Sequence, residues 1–201
     1  MAETYGFFDG DTEYGQDELN RYFDNIYRSG VSVEDSGAMT LAVSQLSGAI
    51  LVNTGFAILK GFWYYNTSAK SLTVTPPTSG SRIDRVVVRL VYASKSISAV
   101  VVPGTASAPP ELARNSAYYD LSLAQLTVKA DGTIAIKDER TDPDLCGAIR
   151  PKNLSEFETW FEGLQSTAWR NIYISQDEPE NPEAGSILLQ ITDAAVPPVG
   201  V

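Results

Sequence analysis

Only the carboxylates in this chain have types and spacings that could do chemistry. There is no histidine and one cysteine, Cys146, among 201 residues. Absent histidine removes the commonest general base and transition-metal ligand, and with them any Ser-His-Asp or Cys-His site. One cysteine without histidine makes no zinc site of ordinary composition. No Gly-x-x-x-x-Gly-Lys-Ser/Thr loop and no dinucleotide fingerprint occurs. Asp9, Asp11, Glu13 and Asp17 alternate in the manner of a Ca²⁺ loop, but the register fails. Counted from Asp9, the sixth position is Tyr14 rather than glycine and the twelfth is Asn20 rather than glutamate. Asp120, Asp138 and Glu139 could serve a glycan hydrolase, which needs two carboxylates about 5–10 Å apart across a sugar. Nothing in the sequence identifies one of them as an acid of raised pKa.

A structural role suits these carboxylates better. The run Ser81-Arg82-Ile83-Asp84-Arg85-Val86-Val87-Val88-Arg89-Leu90 is strongly β-prone, with bulk on both faces. Its Arg82, Asp84 and Arg85 must be solvated or paired, because an unpaired buried charge costs several kcal/mol. By pattern alone the run is an edge strand with a wet N-terminal end. Guanidinium groups match carboxylates in bidentate fashion, so Asp138-Glu139-Arg140 and Arg82–Arg89 look like partners in a structural ion-pair network, in which Arg82, Asp84, Arg85, Arg89, Asp120, Asp138 and Arg140 are expected, several pairing across neighbouring strands. The aromatic runs Phe62-Trp63-Tyr64-Tyr65 and Tyr118-Tyr119 could stack on sugars. On strands, alternate residues of such runs enter the core, so core packing is the expected use.

These groups must be positioned by a mainly β domain. Residues 16–29 predict a helix, with Leu19, Tyr22, Phe23, Ile26 and Tyr27 on one face, Arg28 near its end and Gly30 as a left-handed cap. So aromatic a face should dock, by default on the domain's own sheet. From about 38 to 147 the chain reads as roughly eight short strands. Met39, Leu41 and Val43 alternate; Ala49–Val52, Gly55–Leu59, Phe62–Tyr65, Leu72–Thr75, Val86–Val91, Ile97–Val102, Leu121–Val128 and Thr133–Ile136 follow. Asp131-Gly132 signals a hairpin, and Pro103 to Ser116 is too polar and breaker-rich for a strand. An antiparallel sandwich or barrel-like domain over 1–148 is expected.

Residues 149–201 differ. Asn153 and Glu156 fit a capping box, opening a second helix on which Leu154, Phe157, Phe161, Leu164 and Ala168 form an a/d seam with Trp160 beside it. The seam fits either packing on its own domain or self-association. Ile172–Ile174 and Ser186–Ile191 read as two short strands.

At 43% hydrophobic and 10% aromatic residues the chain is that of a folded protein, and its net charge of −10 argues against a phosphate-binding surface. A lone cysteine allows no intrachain disulfide and suits a reducing cytoplasm. Neither a signal peptide nor an apolar run near the ~20 residues of a membrane span is visible, so lysis is the expected route out of a cell. No cofactor is expected.

Gly6-Phe7-Phe8-Asp9-Gly10, the aromatic helix closing at Gly30-Val31, Gly55-Phe56-Ala57 and Gly61-Phe62-Trp63-Tyr64 occur in order. Arg82–Leu90, Tyr119-Asp120-Leu121-Ser122-Leu123-Ala124, Asp138-Glu139-Arg140-Thr141 and Cys146-Gly147 follow. Over roughly residues 5 to 165 this order resembles the N-terminal module of tail-tip structural proteins from phages and prophages of Gram-positive bacteria, of upper-baseplate or receptor-binding type. The resemblance implies a virion component of the tail, assembled in the host cytoplasm, that is not an enzyme. It implies other tail or baseplate proteins as partners and a homo-oligomer, a trimer favoured, with a host cell-surface glycan as a further partner. The rival readings are a carbohydrate-binding module and a carboxylate-only glycan hydrolase.

Overall fold

A computed structural model of the chain describes residues 15–46, 49–154 and 158–159, and the backbone of 172–175 and 187–190. The chain divides into two compact units, Met1–Lys152 and Asn153–Val201. The described part is mainly β, in several mostly antiparallel sheets, and no sheet closes into the barrel that the strand count also allowed.

The first unit contains α1 (Gln16–Ile26), β1 (Tyr27–Arg28), β2 (Gly30–Val31), β3 (Val43–Leu46), β4 (Ala49–Val52), β5 (Gly55–Leu59) and β6 (Phe62–Asn66). These are followed by β7 (Lys70–Leu72), β8 (Ser81–Val91), β9 (Ser96–Val102), β10 (Tyr118–Lys129), β11 (Ile134–Asp138) and β12 (Arg150–Pro151). The principal sheet has the order β11-β10-β8-β9; two smaller ones are β2-β5-β6 and β3-β4-β7, and β1 pairs with β12. That last pairing carries the unit beyond residue 148.

The long strand β8 is interior over most of its length, pairing with β9 from Arg85↔Val102 to Val91↔Ser96 and with β10 from Ser81↔Lys129 to Val91↔Tyr118, whereas its N-terminal end, Ser81 to Asp84, has β10 as its only strand partner among the described residues. Val86, Val88 and Leu90 join Val31, Ile50, Val52, Ala57, Leu59, Leu121, Leu126 and Val128 in one core cluster where the sheets meet. The charges expected to be wet therefore had to find partners inside the fold. β10 carries a bulge between Ser122 and Ala124 that leaves Leu123 outside the register. The extra residue resets the alternation, so that Leu121 before it and Leu126 and Val128 after it all reach the core.

Helix α1 starts as expected, with the Gly15 N–H donating to Glu18 Oε2 at 3.0 Å. It stops at Ile26 rather than residue 29, because Tyr27 and Arg28 turn extended and pair with Pro151 and Arg150. Gly30 is not its cap. It lies in β2, where a Cβ would come within 2.6 Å of the Gly147 carbonyl oxygen, so only glycine lets these segments touch. The aromatic face docks only partly: no α1 residue is fully buried, and Leu19, Tyr22 and Phe23 remain 42%, 50% and 42% exposed. The strand expected from Met39 begins at Val43, since Leu41 is buried in a left-handed conformation, φ 59°. The Asp131-Gly132 turn forms, with Asp131 Oδ1 accepting the Thr133 N–H at 2.8 Å and Gly132 at φ 84°.

In the second unit, β13 (Ile172–Ser175) and β14 (Ile187–Gln190) pair in parallel. Of the expected second helix, Leu154, Glu158 and Thr159 have helical backbone. Phe157, Trp160, Phe161, Leu164 and Ala168 lie outside the described residues. No helix among the described residues is long and apolar enough to cross a membrane.

Gly30→Ala should lower stability by about 1–3 kcal/mol in urea melting, the cost of inserting a methyl against fixed backbone. A change within error would show that the β2 contact relaxes freely.

Candidate functional site

Three carboxylates, Asp84, Asp120 and Glu139, are buried to 0%, 1% and 3% exposure, and each is gripped by an arginine of β8. Strand alternation sends them to different faces of the principal sheet. Asp84 points with Val86 and Val88 to the core side, whereas Arg85, Val87 and Arg89 point to the other. Arg82 Nε and Nη2 both donate to Asp84, at 2.7 Å each. Arg89, directly opposite Asp120 in the β8–β10 register, donates to both its oxygens at 2.8 Å. Arg85 reaches Glu139, the residue after β11, with Nε–Oε2 3.0 Å and Nη2–Oε1 3.4 Å, and the Ser122 hydroxyl donates to Glu139 Oε2 at 2.6 Å. A more exposed pair completes the set: Arg140 Nη2 donates to Asp138 Oδ2 at 2.6 Å.

Each pair also ties down a loop. Arg82 Nη2 donates to the Thr75 carbonyl at 2.9 Å, and Asp84 Oδ1 accepts the Gly104 N–H at 3.1 Å. Arg85 Nη1 donates to the Pro110 carbonyl at 2.6 Å, and Asp120 Oδ2 accepts the Ala113 N–H at 3.0 Å. The Pro/Ala/Ser-rich excursion is thereby strapped across the sheet. The 139–147 loop is held at the β10 bulge, where the Ser122 N–H donates to the Leu145 carbonyl and Leu123 accepts from the Glu139 N–H. Arg114 adds a bond from Nη2 to the Leu145 carbonyl at 2.9 Å while its guanidinium lies 5.5 Å from the Tyr119 ring. Arg140 Nη1 donates to the carbonyls of Met39 and Thr40.

The structure thus brings all seven anticipated residues into ion pairs, as four separate pairs rather than one network. Arg89–Asp120 spans directly paired strands, while Arg82–Asp84 and Arg140–Asp138 join residues two apart. Glu139 stood among the hydrolase candidates and, within Asp138-Glu139-Arg140, as a partner of the Arg82–Arg89 run, but its pairing with Arg85, 54 positions away, was not specified. The signal was local: with Asp138 and Arg140 paired on one side, Glu139 must face the other. Ser122 was missed, although it alternates with Asp120 onto the same face of β10. The Asp84 hydrogen bonds raise the Arg82 pKa, the Asp120 bonds raise that of Arg89, and the Arg140 bonds hold Asp138 below the usual carboxylate range. Burial pushes the Cys146 thiol up to about 12, which makes it a packing residue rather than a nucleophile at neutral pH. Among the described residues no group of His, Cys, Asp and Glu could hold a metal ion.

The aromatic runs divide as strand alternation requires. Phe62 and Tyr64 pack against the core, whereas Trp63 and Tyr65 are 68% and 60% exposed. Tyr118 lies against the Arg89 guanidinium, 5.1 Å away, and Tyr119 packs against the core.

No protein-family model matches the chain, and no curated protein matches it. Among solved structures, the gene 22 product of the Bacillus subtilis SPP1 phage is similar at 12% identity and a TM-score of 0.36, over 57% of this chain and 89% of that one. At that distance the likeness identifies neither fold nor role.

Truncating one partner of a buried pair leaves the other charge stranded, so Arg89→Ala and Asp120→Ala should each cost about 3–5 kcal/mol in denaturant melting. Asp138→Ala, at a half-exposed pair, should cost about 0–1 kcal/mol. Equal losses at the two sites would refute the distinction. The depressed Asp138 pKa stabilises the fold above the unfolded-state value of about 4, and that contribution is lost as pH falls through the lower folded-state value. Asp138→Asn should therefore flatten the acid limb of the stability–pH curve; an unchanged limb would show that the Arg140 pair contributes nothing.

Proposed function

We propose that the chain is a structural component of a phage or prophage virion, at the tail tip or baseplate, where it anchors or links receptor-binding parts to the tail. The ordered motifs from Gly6-Phe7-Phe8-Asp9-Gly10 to Cys146-Gly147 support the family. The observation that carries the mechanical role is the set of buried bidentate pairs, which fix the loops on the principal sheet and make a stiff block. In this reading the layered sheets are an open antiparallel sandwich, assembled in the host cytoplasm and packaged into the tail. Asp120, Asp138 and Glu139 are the carboxylates a glycan hydrolase would draw on. Each is already bound by a guanidinium, which favours the structural reading over hydrolysis. The seam of Leu154, Phe157, Phe161, Leu164 and Ala168, with Trp160 at its edge, would close a homotrimer, since burying each large apolar side chain contributes ~1.5–3 kcal/mol.

Cryo-electron microscopy of the intact particle tests the assignment: density for this chain at the tail tip is expected, and its absence from particles would overturn it. So would turnover of peptidoglycan, teichoic acid or polysaccharide that a single Asp or Glu change abolishes. Light scattering should give a trimer that Phe161→Asp with Leu164→Asp converts to folded monomers; a native monomer at micromolar concentration would remove the seam from the proposal.

A further inference from the structure

We infer that the groove between α1 and β6 receives an extended strand of another polypeptide, which adds to the free edge of β6. The inference rests on β6 and its surroundings and is independent of the virion assignment.

β6 is an edge of the β2-β5-β6 sheet. The turn before it is only Lys60-Gly61, at φ 51° and 80°, and joins the pair Leu59↔Phe62. In a two-residue hairpin the closing pair is hydrogen-bonded, and bonding alternates along the ladder. Phe62, Tyr64 and Asn66 therefore bond to β5, while Trp63 and Tyr65 turn their N–H and C=O groups outward. No backbone hydrogen bond meets those groups among the described residues. Natural edges are normally blunted by lysine, proline, a bulge or a covering segment. Phe62-Trp63-Tyr64-Tyr65-Asn66 has no lysine or proline and pairs with β5 without a bulge.

The rest of the groove suits the same occupant. Its far wall is α1, with Leu19 and Phe23 each 42% exposed, and Ile97 of β9 extends the apolar lining. The walls stand at a fixed separation, because Gly61 packs so closely on the Asn20 carbonyl that a Cβ there would lie 2.1 Å from it. The buried Asn20 Nδ2–H, also on this wall, has no acceptor among the described residues. A sugar would use the rings of Trp63 and Tyr65 but not two strand-spaced pairs of backbone groups. An added strand uses both, with main-chain bonds to β6 and alternate side chains against the apolar lining. Asp17 and Glu18, in the adjoining pocket at the start of α1, outnumber Lys95, which borders both, and in a chain of net charge −10 they favour a basic flank on that strand over a second copy of this chain.

The test uses the full chain with a pool of synthetic nonapeptides of alternating apolar and polar residues ending in Lys-Arg, read by amide hydrogen exchange and by affinity. Binding should slow exchange at Trp63 and Tyr65 by at least about tenfold. Tyr65→Pro, which removes an outward N–H and leaves the β5 ladder intact, should weaken affinity by about tenfold or more. Retained protection at Phe62 and Tyr64 shows that this variant folds. If Tyr65→Pro disturbs them, Trp63→Ala replaces it, with a loss of affinity expected. The inference is overturned if no peptide of the pool binds, if binding leaves the two amides unprotected, or if the folded variants bind as well as the parent. Binding of a chito-oligosaccharide in place of the peptides would mark a sugar site instead. Protection that grows with protein concentration alone would mark a self-pairing edge, and either result overturns a foreign strand.

Discussion

Charge inside the centre of a sheet is the constraint on which the rest of this structure depends. From Arg85 to Val91 β8 is paired on both sides, so Arg85 and Arg89 cannot reach water by sitting at an edge; before that the loop after β9 closes its free side, the Ile83 N–H donating to the Thr105 carbonyl, and Asp84 is fully buried. Removing a single ion from water costs several kcal/mol unless an opposite charge in good geometry offsets it. The three bidentate pairs provide that geometry. An arginine fork has donors left over after gripping a carboxylate, and these are what capture the loop carbonyls of Thr75 and Pro110. Loop order thus follows from charge burial rather than from loop sequence.

The two faces of the principal sheet divide the work. One face is a hydrocarbon surface of Val86, Val88, Leu90, Leu121 and Leu126 that joins the common core. The other carries Arg85, Arg89, Asp120 and Ser122 beneath a polar strap. The β10 bulge allows this division to persist along a twelve-residue strand. Without the extra residue, Leu126 and Val128 would have turned toward the charged face.

Much of this was legible in the sequence. Alternation located most strands to within a few residues, Asp131-Gly132 marked its hairpin, and the arginine and aspartate spacing marked the paired residues. What failed had one physical origin, in contacts between segments far apart in the chain. Tyr27 and Arg28 left the helix because Arg150 and Pro151 offered them a ladder. Gly30 looked like a helix cap, yet its smallness serves Gly147. Leu41 broke its strand by adopting a conformation that only the surrounding core enforces. Local propensity is a weak guide wherever such tertiary contacts decide the backbone.

The strap across the charged face has a consequence for altering this protein. Its tip, Thr105 to Ala108, closes on itself through the Thr105 N–H and hydroxyl, both donating to the Ala108 carbonyl. The anchors at Gly104 and Pro110 lie on either side of that small turn, and the Ala106 and Ser107 side chains are exposed. Added sequence between Ala106 and Ser107 would lengthen a loop whose two ends are already nailed to the sheet, and the closure entropy of such a loop grows only slowly with length. The tip is accordingly a port for grafting an epitope or a reporter without disturbing the charge pairs beneath it.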